Sequence, residues 1–481
     1  MELMTLLTSA VSDVDIGLFG QTFEVYLNWI GKIIRWIIGV GSVGVGIILF
    51  SLVLKFIVLP FDVYQRIAMR KQNLKMKEQQ SRMEKLQKQY ANNKELYNQK
   101  VMELYKENGI SMFSSCLPMI LSMVIFIVAI NAFNAYSQYS NIDNYNTMVQ
   151  AYNTKIEEYC ADLEEENTVV SVDGDKIYVT NENKFIYYTV NYVENYQEND
   201  YAYIKNVKTE DRIYKIDAQK ALANADIKTF VDAKVAEAKT ENEAMEGAPA
   251  FNETEATETA LKNYFISQAQ DAVVVSYENK VKGKTSFLWI KNIWATDASY
   301  KHPVLEYSEF KTEIEREKFN INGEKVSLSD VTNYTNVYKE DTYKIVTNKL
   351  GEQKTQANGY YILILLSIGT ILLQQFVSMR SQKEQQKYST VDGQGASQQK
   401  MMMIMMTGMF AIFSFMYSSA FSIYMITSNI FSLLSTLIIN KAVDTVQEKK
   451  ERIALQEKQN QRYPGYKAKQ ENADKKNKNK K

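Results

Sequence analysis

Few residues in this chain could do covalent chemistry. Its 481 residues include one histidine, His302, and two cysteines, Cys116 and Cys160. A Ser/His/Asp relay would have to be built around that single imidazole, and no Cys/His cluster has the spacing of a transition-metal site. No glycine-rich phosphate loop occurs. An enzyme is therefore not expected, and neither is a metal or a cofactor. The remaining chemistry is that of polar and charged groups in apolar surroundings.

Lys55 is the strongest case. It lies inside an apolar run that ends in Lys55-Phe-Ile-Val-Leu-Pro60, one turn after Ser51. A lysine near the centre of a membrane helix costs roughly 2.5–3.5 kcal/mol on insertion scales. Pro60 is only five residues away, about 7–8 Å at 1.5 Å per residue, so Lys55 either snorkels to the nearby interface or serves a polar cavity. Other apolar runs carry polar stripes at about 100° per residue. Ser367, Thr370, Gln374 and Ser378 fall on one face, Thr407, Ser414 and Ser418 on another, and Ser422, Asn429, Ser432 and Thr436 on a third. Such stripes line a wet groove or glue helices together. Unpaired amides are costly to bury, which favours the groove for Gln374 and Asn429. Packing is the better reading for Thr407, Ser414 and Ser418.

The elements that must position these residues are membrane spans. Apolar stretches long enough to cross a hydrocarbon core of about 30 Å occupy residues 36–60, 113–136, 358–378, 401–418 and 419–440. The formal net charge is +0, but its distribution is uneven. Residues 66–112 hold 11 Lys/Arg against 5 Asp/Glu, residues 379–400 hold 4 against 2, and residues 441–481 hold 13 against 6. Residues 137–357 reverse the balance, with 25 Lys/Arg against 38 Asp/Glu. Five spans place the three basic segments on one side, and the positive-inside rule makes that side the cytosol. The amino terminus and the acidic segment then lie outside and the carboxyl terminus inside. Cys116 and Cys160 are separated by this topology and are not expected to pair.

Residues 1–35 show no basic region ahead of an apolar stretch, so a cleaved signal peptide is not expected. From Phe23 to Ile38, aromatic and apolar residues mix with Lys32 and Arg35, as in a helix lying at the outer interface. An extended first span with an aromatic anchor fits the same residues. Residues 61–112 form a basic helical hairpin broken near Ala91-Asn92-Asn93. Met69, Met76, Met83 and Tyr90 supply a seam, and Arg66, Arg70, Lys71, Lys75, Lys85 and Lys88 a charged surface. In the acidic segment, Val169–Val179 and Lys184–Val193 read as strands, with a turn at Asp173-Gly174. Ile213–Glu237 and Glu255–Gln270 read as helices, and Thr240–Asn252 as a polar loop. Met401–Met406 opens the fourth span with adaptable thioethers. The tail ends in the Lys/Asn-rich run Lys475–Lys481, which attracts polyanions such as ribosomal RNA or anionic lipid.

Several of these stretches together resemble the YidC-type membrane protein insertases. They are Leu54-Lys-Phe-Ile-Val-Leu-Pro60-Phe, Met102-Glu-Leu-Tyr-Lys-Glu-Asn-Gly-Ile, Cys116-Leu-Pro118, Phe287-Leu-Trp-Ile290 with Asp297, Met401-Met402, and Tyr424 through Asn429. The ordered set covers the five spans, roughly half the chain. Lys55 stands where the family usually carries an arginine, which keeps the charge but loses the planar fork. The family's Gln and Pro in the second span are replaced by Ser122 and Val124. Its Pro-Gly-Leu turn reads Ser418-Ser419-Ala420-Phe421, and its Tyr-Trp reads Tyr424-Met425. Residues 137–286 have no counterpart in the family's minimal pattern.

The resemblance implies a polytopic α-helical membrane protein of the bacterial cytoplasmic membrane. Five transmembrane helices and a cytosolic helical hairpin go with it, and the strand and helix patterns read above add a large extracytoplasmic α+β domain inserted between spans two and three. It also implies an insertase whose hydrophilic groove is open to cytosol and lipid and works without nucleotide hydrolysis. Ser51, Lys55, Ser367, Thr370, Gln374, Asn429, Ser432 and Thr436 line that groove. Its partners are client membrane proteins, with the ribosome, the general secretion channel and anionic lipids as further candidates. A small-solute channel or transporter is a second reading. A membrane anchor for the outer domain is a third, which Lys55 and the amides argue against. The topology has a direct test. Single cysteines at Asn181 and Asn252 react with an impermeant reagent added outside, while cysteines at Asn93 and Gly393 do not; outside labelling of Asn93 reverses the assignment.

Overall fold

The computed structural model describes residues 13–20, 22–39, 41–109, 113–160, 169–173, 176–181, 184–190, 208–321, 324–328, 336–381 and 394–462. The expected features at Gly174, at the 382–393 connection and at Lys475–Lys481 lie outside this set. The chain divides into two compact units, one formed by Met1–Ile47, Ile130–Ile362 and Tyr417–Phe421, the other by Ile48–Ala129, Leu363–Met416 and Ser422–Lys481.

The first unit is α+β. Its strands are β1 (Asp13–Gly20), β2 (Glu24–Val25), β3 (Val169–Asp173), β4 (Lys176–Asn181), β5 (Lys184–Val190), β6 (Lys208–Asp217), β7 (Lys318–Ile321) and β8 (Glu324–Ser327). They form a five-stranded sheet in the order β1-β6-β5-β4-β3 and a three-stranded sheet β2-β7-β8, antiparallel throughout. Runs such as Phe185-Ile-Tyr-Tyr-Thr-Val190 are rich in the aromatic and β-branched residues that suit a pleated surface. Asp173 pairs with Lys176 across the first hairpin. One expectation is corrected here: Ile213–Asp217 is strand, not helix. These residues pair with β1 on one side and β5 on the other, and this two-sided ladder outweighs their place ahead of a helical sequence. The helix proper runs Ala225–Ala244. Asn224 caps it, its Oδ1 accepting from the amides of Asp226 and Ile227 at 2.9 and 3.3 Å.

A long helix, Phe113–Cys160, supplies the core. The helix thus continues without a break past residue 136, where the apolar window ends. Ile142, Tyr145, Val149, Tyr152 and Ile156 recur at intervals of three and four and are fully buried. Around Tyr145 gather Phe310 at 4.6 Å and Tyr343 at 5.0 Å between ring centres. Three of the buried phenols are hydrogen-bonded: Tyr145 Oη donates to the Val337 carbonyl at 2.6 Å, Tyr343 Oη to that of Leu305 at 2.6 Å, and Tyr338 Oη to Asn146 Oδ1 at 3.0 Å. Burial pushes all three phenols above their usual range, so they remain neutral donors.

The segment 287–300, which contains the Phe287-Leu-Trp-Ile290 motif, is tied down by side-chain amides. Asn358 Nδ2 donates to the carbonyls of Asn292 and Thr296, both at 2.9 Å, and its Oδ1 accepts from the Asn292 amide at 2.6 Å. Asp297, fully buried, accepts from the amides of Tyr360 and Tyr361 at 2.7 and 3.2 Å, just ahead of the helix Ile362–Ser381. Gly359 is required beside it, since a Cβ there would sit 1.9 Å from Asp297 Oδ1. The carbonyls of Ala295 and Ile293 accept from the amides of Ser419 and Ala420, each at 2.8 Å. Those are the first residues of the helix Ser419–Arg462. One segment thus fills the empty hydrogen-bond positions at the start of two helices.

Ahead of the spans, Trp29–Ile38 forms a separate helix that buries Ile34, Ile37 and Ile38 and leaves Trp29 and Trp36 more than 70% exposed. The chain breaks at Gly39, turns through Gly41 at φ +83° and resumes at Val43. The first long helix thus begins at residue 43, not 36, because the intervening glycines interrupt the ladder.

The second unit is helical. Among the described residues three helices are long and apolar enough to cross a membrane, Val43–Gln89, Ile362–Arg380 and Ser419–Lys458, and Thr407–Met416 is a shorter apolar helix. Val43–Gln89 continues through Pro60 without interruption, and Ser419–Arg462 continues past residue 440. The helix Lys94–Glu107 follows Gln89 after a short turn and is capped by Asn93. Its Leu104 and Tyr105 bury against Met76 and Met83.

Glu313 is the unusual ionisable group of the first unit. Burial pushes its carboxyl up to about 8. Asn141 Nδ2 donates to Oε1 at 3.0 Å, and Oε2 has no partner among the described residues. The folded state therefore holds a proton that the unfolded chain, ordinary at 4.5, releases earlier. Its contribution to stability is complete below about 4.5 and declines as pH rises to about 8. Glu313→Gln removes that decline, so it melts several degrees above the unaltered protein at pH 8 and close to it at pH 5. Thermal unfolding of the full chain at the two pH values checks this; equal gains at both would assign the effect to packing.

Candidate functional site

Ser51, Lys55, Asp62 and Arg66 follow one another at intervals of four, seven and four along the Val43–Gln89 helix. At about 100° per residue they share a face roughly 60° wide. On the Ser419–Arg462 helix, Asn429, Ser432 and Thr436 are spaced by three and four and likewise share a face. The two faces are joined by hydrogen bonds. Lys55 Nζ donates to Ser432 Oγ at 2.9 Å, and Arg66 Nη2 donates to Thr436 Oγ1 at 3.3 Å. Arg70 and Asp444 form an ion pair at 3.8 Å farther along. Residue numbers rise together on both helices, so the helices run parallel. Phe56 and Phe431 meet edge to face with ring centres 5.2 Å apart, and Ser51 is fully buried.

Lys55 is therefore seated, half-buried, on a hydroxyl of another helix. Asp62 was not picked out from the sequence, although its place four residues before Arg66 is a recognisable acid–base spacing. It interacts electrostatically with both Lys55 and Arg66. Arg66 and Arg70, expected on the exposed surface of the hairpin, are half-buried and bonded to the last helix instead. Lys71, Lys75, Lys85 and Lys88 are exposed as expected. Lys75 reaches the carbonyls of Asn108 and Gly109 at 3.3 and 3.5 Å and closes the carboxyl end of the Lys94–Glu107 helix.

The remaining stripe residues separate into two kinds. Ser367 and Ser414 are fully buried and bonded to each other at 2.9 Å, which is packing between the Ile362–Ser381 and Gln394–Met416 helices. Thr370 Oγ1 donates back to the Ser367 carbonyl at 2.9 Å and accepts from Asn429 Nδ2 at 3.4 Å. Gln374 is half-buried and has no hydrogen-bond partner among the described residues. Its neighbour Gln375, not singled out from the sequence, accepts from Thr407 Oγ1 at 2.8 Å. Asn429, Ser432 and Thr436 thus connect the last helix to two others through one polar face. A small cavity between Asn141, Tyr145, Asn292, Phe310 and Tyr343 belongs to the first unit, and no stripe residue lines it.

Curated relatives named membrane protein insertase YidC include one from Caldanaerobacter subterraneus, 40% identical over 86 residues, covering 18% of this chain and 40% of the relative. One from Clostridium perfringens is 35% identical over 109 residues, 23% of this chain and 44% of the relative. One from Enterococcus faecalis is 31% identical over 122 residues, 24% of this chain and 42% of the relative. The chain thus spans about two fifths of the length of the curated relatives it matches. No solved structure matches. The family model described as 60Kd inner membrane protein matches residues 36–251 and 272–448, including much of the acidic segment for which the short motifs offer no counterpart. With well over half of its length matched, the chain belongs to the 60Kd inner membrane protein family.

Proposed function

We propose that this membrane protein is an insertase, which receives the translocated tail and apolar helix of a client protein and passes the helix into lipid. The observation that carries this reading is Lys55, a cation half-buried inside an apolar helix and held by Ser432 of another. A simple anchor has no use for so costly a group. The relatives' name and the family match support the same reading. The site comprises Ser51, Lys55, Asn429, Ser432 and Thr436, extended by Thr370 and Gln374. Ser367 serves the packing beside it.

Five spans, an outer amino terminus and an acidic outer segment 137–357 complete the arrangement. The cytosol holds the 61–112 hairpin, the 379–400 connection and the tail from 441, and the membrane is the bacterial cytoplasmic one. The charge counts of the connecting segments support this topology. The exposed Lys71, Lys75, Lys85 and Lys88 suit a polyanionic partner such as the ribosome or the headgroups of anionic lipids. A client tail bearing acidic residues is drawn to Lys55, and water held by the polar face shortens the apolar distance the tail must cross. Burial of the client's apolar helix in lipid, about 25 cal/mol per Å², drives the transfer, so no nucleotide is consumed.

Two measurements test the site. Lys55→Arg retains insertion because the charge is kept, while Lys55→Ala lowers insertion of clients with acidic translocated tails about tenfold more than of clients with neutral tails, the equivalent of about 1.4 kcal/mol. Equal activity of Lys55→Ala on both client types would reduce the lysine to an interfacial anchor. The second pair separates groove from glue. Gln374→Leu leaves the detergent melting temperature unchanged or slightly raised and slows insertion. Asn429→Leu loses its bond to Thr370 and about 0.6 kcal/mol of stability, the average for interhelical bonds in membranes. A destabilised Gln374→Leu that inserts clients normally per folded molecule assigns Gln374 to packing and removes it from the site.

A further inference from the structure

The turn Phe287–Ile290 stands apart from the polar stripe and has no part in it. Its end residues exchange two backbone hydrogen bonds, of 2.9 and 3.0 Å, which close the turn and leave Leu288 and Trp289 at the tip. The Phe287 ring packs on Gly44, where a Cβ would sit 2.2 Å from it, so the turn lies against the first turn of the Val43–Gln89 helix. Farther along the same segment, the Ile293 and Ala295 carbonyls hold the start of the Ser419–Arg462 helix, and Asp297 holds the amides just ahead of Ile362. All of these contacts lie within the first unit. The three helices are those that, among the described residues, are long and apolar enough to cross a membrane. They begin at one segment, and that segment marks the level at which the apolar layer starts.

Leu288 is out of place at such a tip in water. Its φ of +55° is left-handed, a conformation in which the Cβ crowds the following carbonyl oxygen and which glycine or asparagine adopts more readily. Its side chain is 71% exposed, so packing inside the protein does not offset the strain. A single exposed leucine is ordinary. One held in left-handed backbone, next in the chain to a ring packed on the first turn of an apolar helix, is not. Tyr300 on the same segment and Tyr360, two residues before Ile362, are exposed as well. Amphipathic rings of this kind collect at the boundary of a membrane.

We infer that the Phe287–Ile290 turn is a lipid-docking site, with Leu288 inserted among the acyl chains of the leaflet beside the helix starts. The partner is a phospholipid surface, and the apolar area of Leu288 removed from water there offsets its backbone strain. Insertion stops at the headgroup boundary, because the polar peptide groups at the tip of a turn are not tolerated deeper in hydrocarbon. The site is independent of insertion activity. Only the name of the leaflet, the outer one, rests on the topology proposed above.

The test uses the full chain in vesicles of phosphatidylethanolamine and phosphatidylglycerol that include a phospholipid with a photoreactive diazirine near the carboxyl end of one acyl chain. After illumination, tryptic peptides are scored for attached lipid. Trypsin releases the turn as Thr285–Lys291 and an exposed polar connection as Thr240–Lys262. In the unaltered chain Thr285–Lys291 carries about fivefold or more lipid per residue than Thr240–Lys262, as a segment at the membrane boundary should. Leu288→Asn, which tolerates the left-handed backbone but gives up the apolar burial, lowers labelling of this peptide about five- to tenfold relative to the Thr355–Arg380 peptide of the next helix. Leu288→Met, which keeps the apolar side chain, leaves that ratio near the original. Labelling of Thr285–Lys291 no higher than that of Thr240–Lys262 overturns the inference, and so does a ratio that Leu288→Asn does not change. Neither outcome bears on the insertase reading, since no client is present. Labelling by probe lipid confined to the cytosolic leaflet supports the docking site and reverses the topology.

Discussion

The arrangement of the helical unit depends on one constraint, the cost of an ammonium ion inside an apolar helix. A helix satisfies its own backbone groups, so in lipid the hydrogen-bond partners for Lys55 must be side chains or water. Ser432 provides one such partner at 2.9 Å. That bond lies on the same face of the last helix as the contacts Arg66–Thr436 and Phe56–Phe431, and the three together set which face meets the first helix. Asn429 then falls within reach of Thr370 on a third helix. An apolar residue at 55 would impose none of this, because apolar helix faces in lipid have little reason to prefer one rotation to another.

A different economy governs the α+β unit. Its core is built of tyrosines as much as of aliphatic residues, and every ring brings a hydroxyl that must be paired. Tyr145, Tyr338 and Tyr343 bond to backbone carbonyls or to the Asn146 amide, so their polar ends act as pegs between loop and helix. Segment 287–300 works in a related way. Asn292, Asn358 and Asp297 use buried amides and a carboxylate to hold irregular backbone in place. That backbone in turn caps the starts of the Ile362–Ser381 and Ser419–Arg462 helices.

Much of this was legible in the sequence. Hydropathy located the apolar helices, the heptad-like methionines located the hairpin seam, and the Asp173-Gly174 pair located a hairpin between β3 and β4. The failures have physical causes. Hydropathy detects the end of an apolar window but not of a helix, so it does not show that the Phe113–Cys160 helix runs on past residue 136. Ile213–Asp217 has local preferences compatible with either state, and pairing on both sides, a long-range effect, decided it. Lys55, Ser432 and Thr436 were found because polar residues stand out against apolar ones. Asp62 was overlooked because it lies just past Pro60, where polarity is ordinary. The partners of the stripes could not be read at all, since periodicity gives the face of one helix and never the face it meets. Thus Ser367 looked like Gln374 in sequence, yet one is buried against Ser414 and the other has no partner among the described residues.

The choice of lysine over arginine at position 55 fits the same physical picture. A guanidinium presents a planar fork that holds a carboxylate by two parallel bonds, whereas an ammonium is a point charge with three rotatable donors. One of those donors is already directed at Ser432, which leaves a hold that is strong in charge and loose in geometry. Arg66 does carry the fork, but eleven residues farther along, it lies against Thr436 with Asp62 beside it. The part of the stripe within the apolar run therefore attracts without clamping. The part that could clamp is already bonded to the chain's own hydroxyl at Thr436. Under the proposed insertase function, such a loose hold would keep the transfer downhill, because each kilocalorie spent holding a tail at Lys55 is lost from the burial that carries the client's helix into lipid.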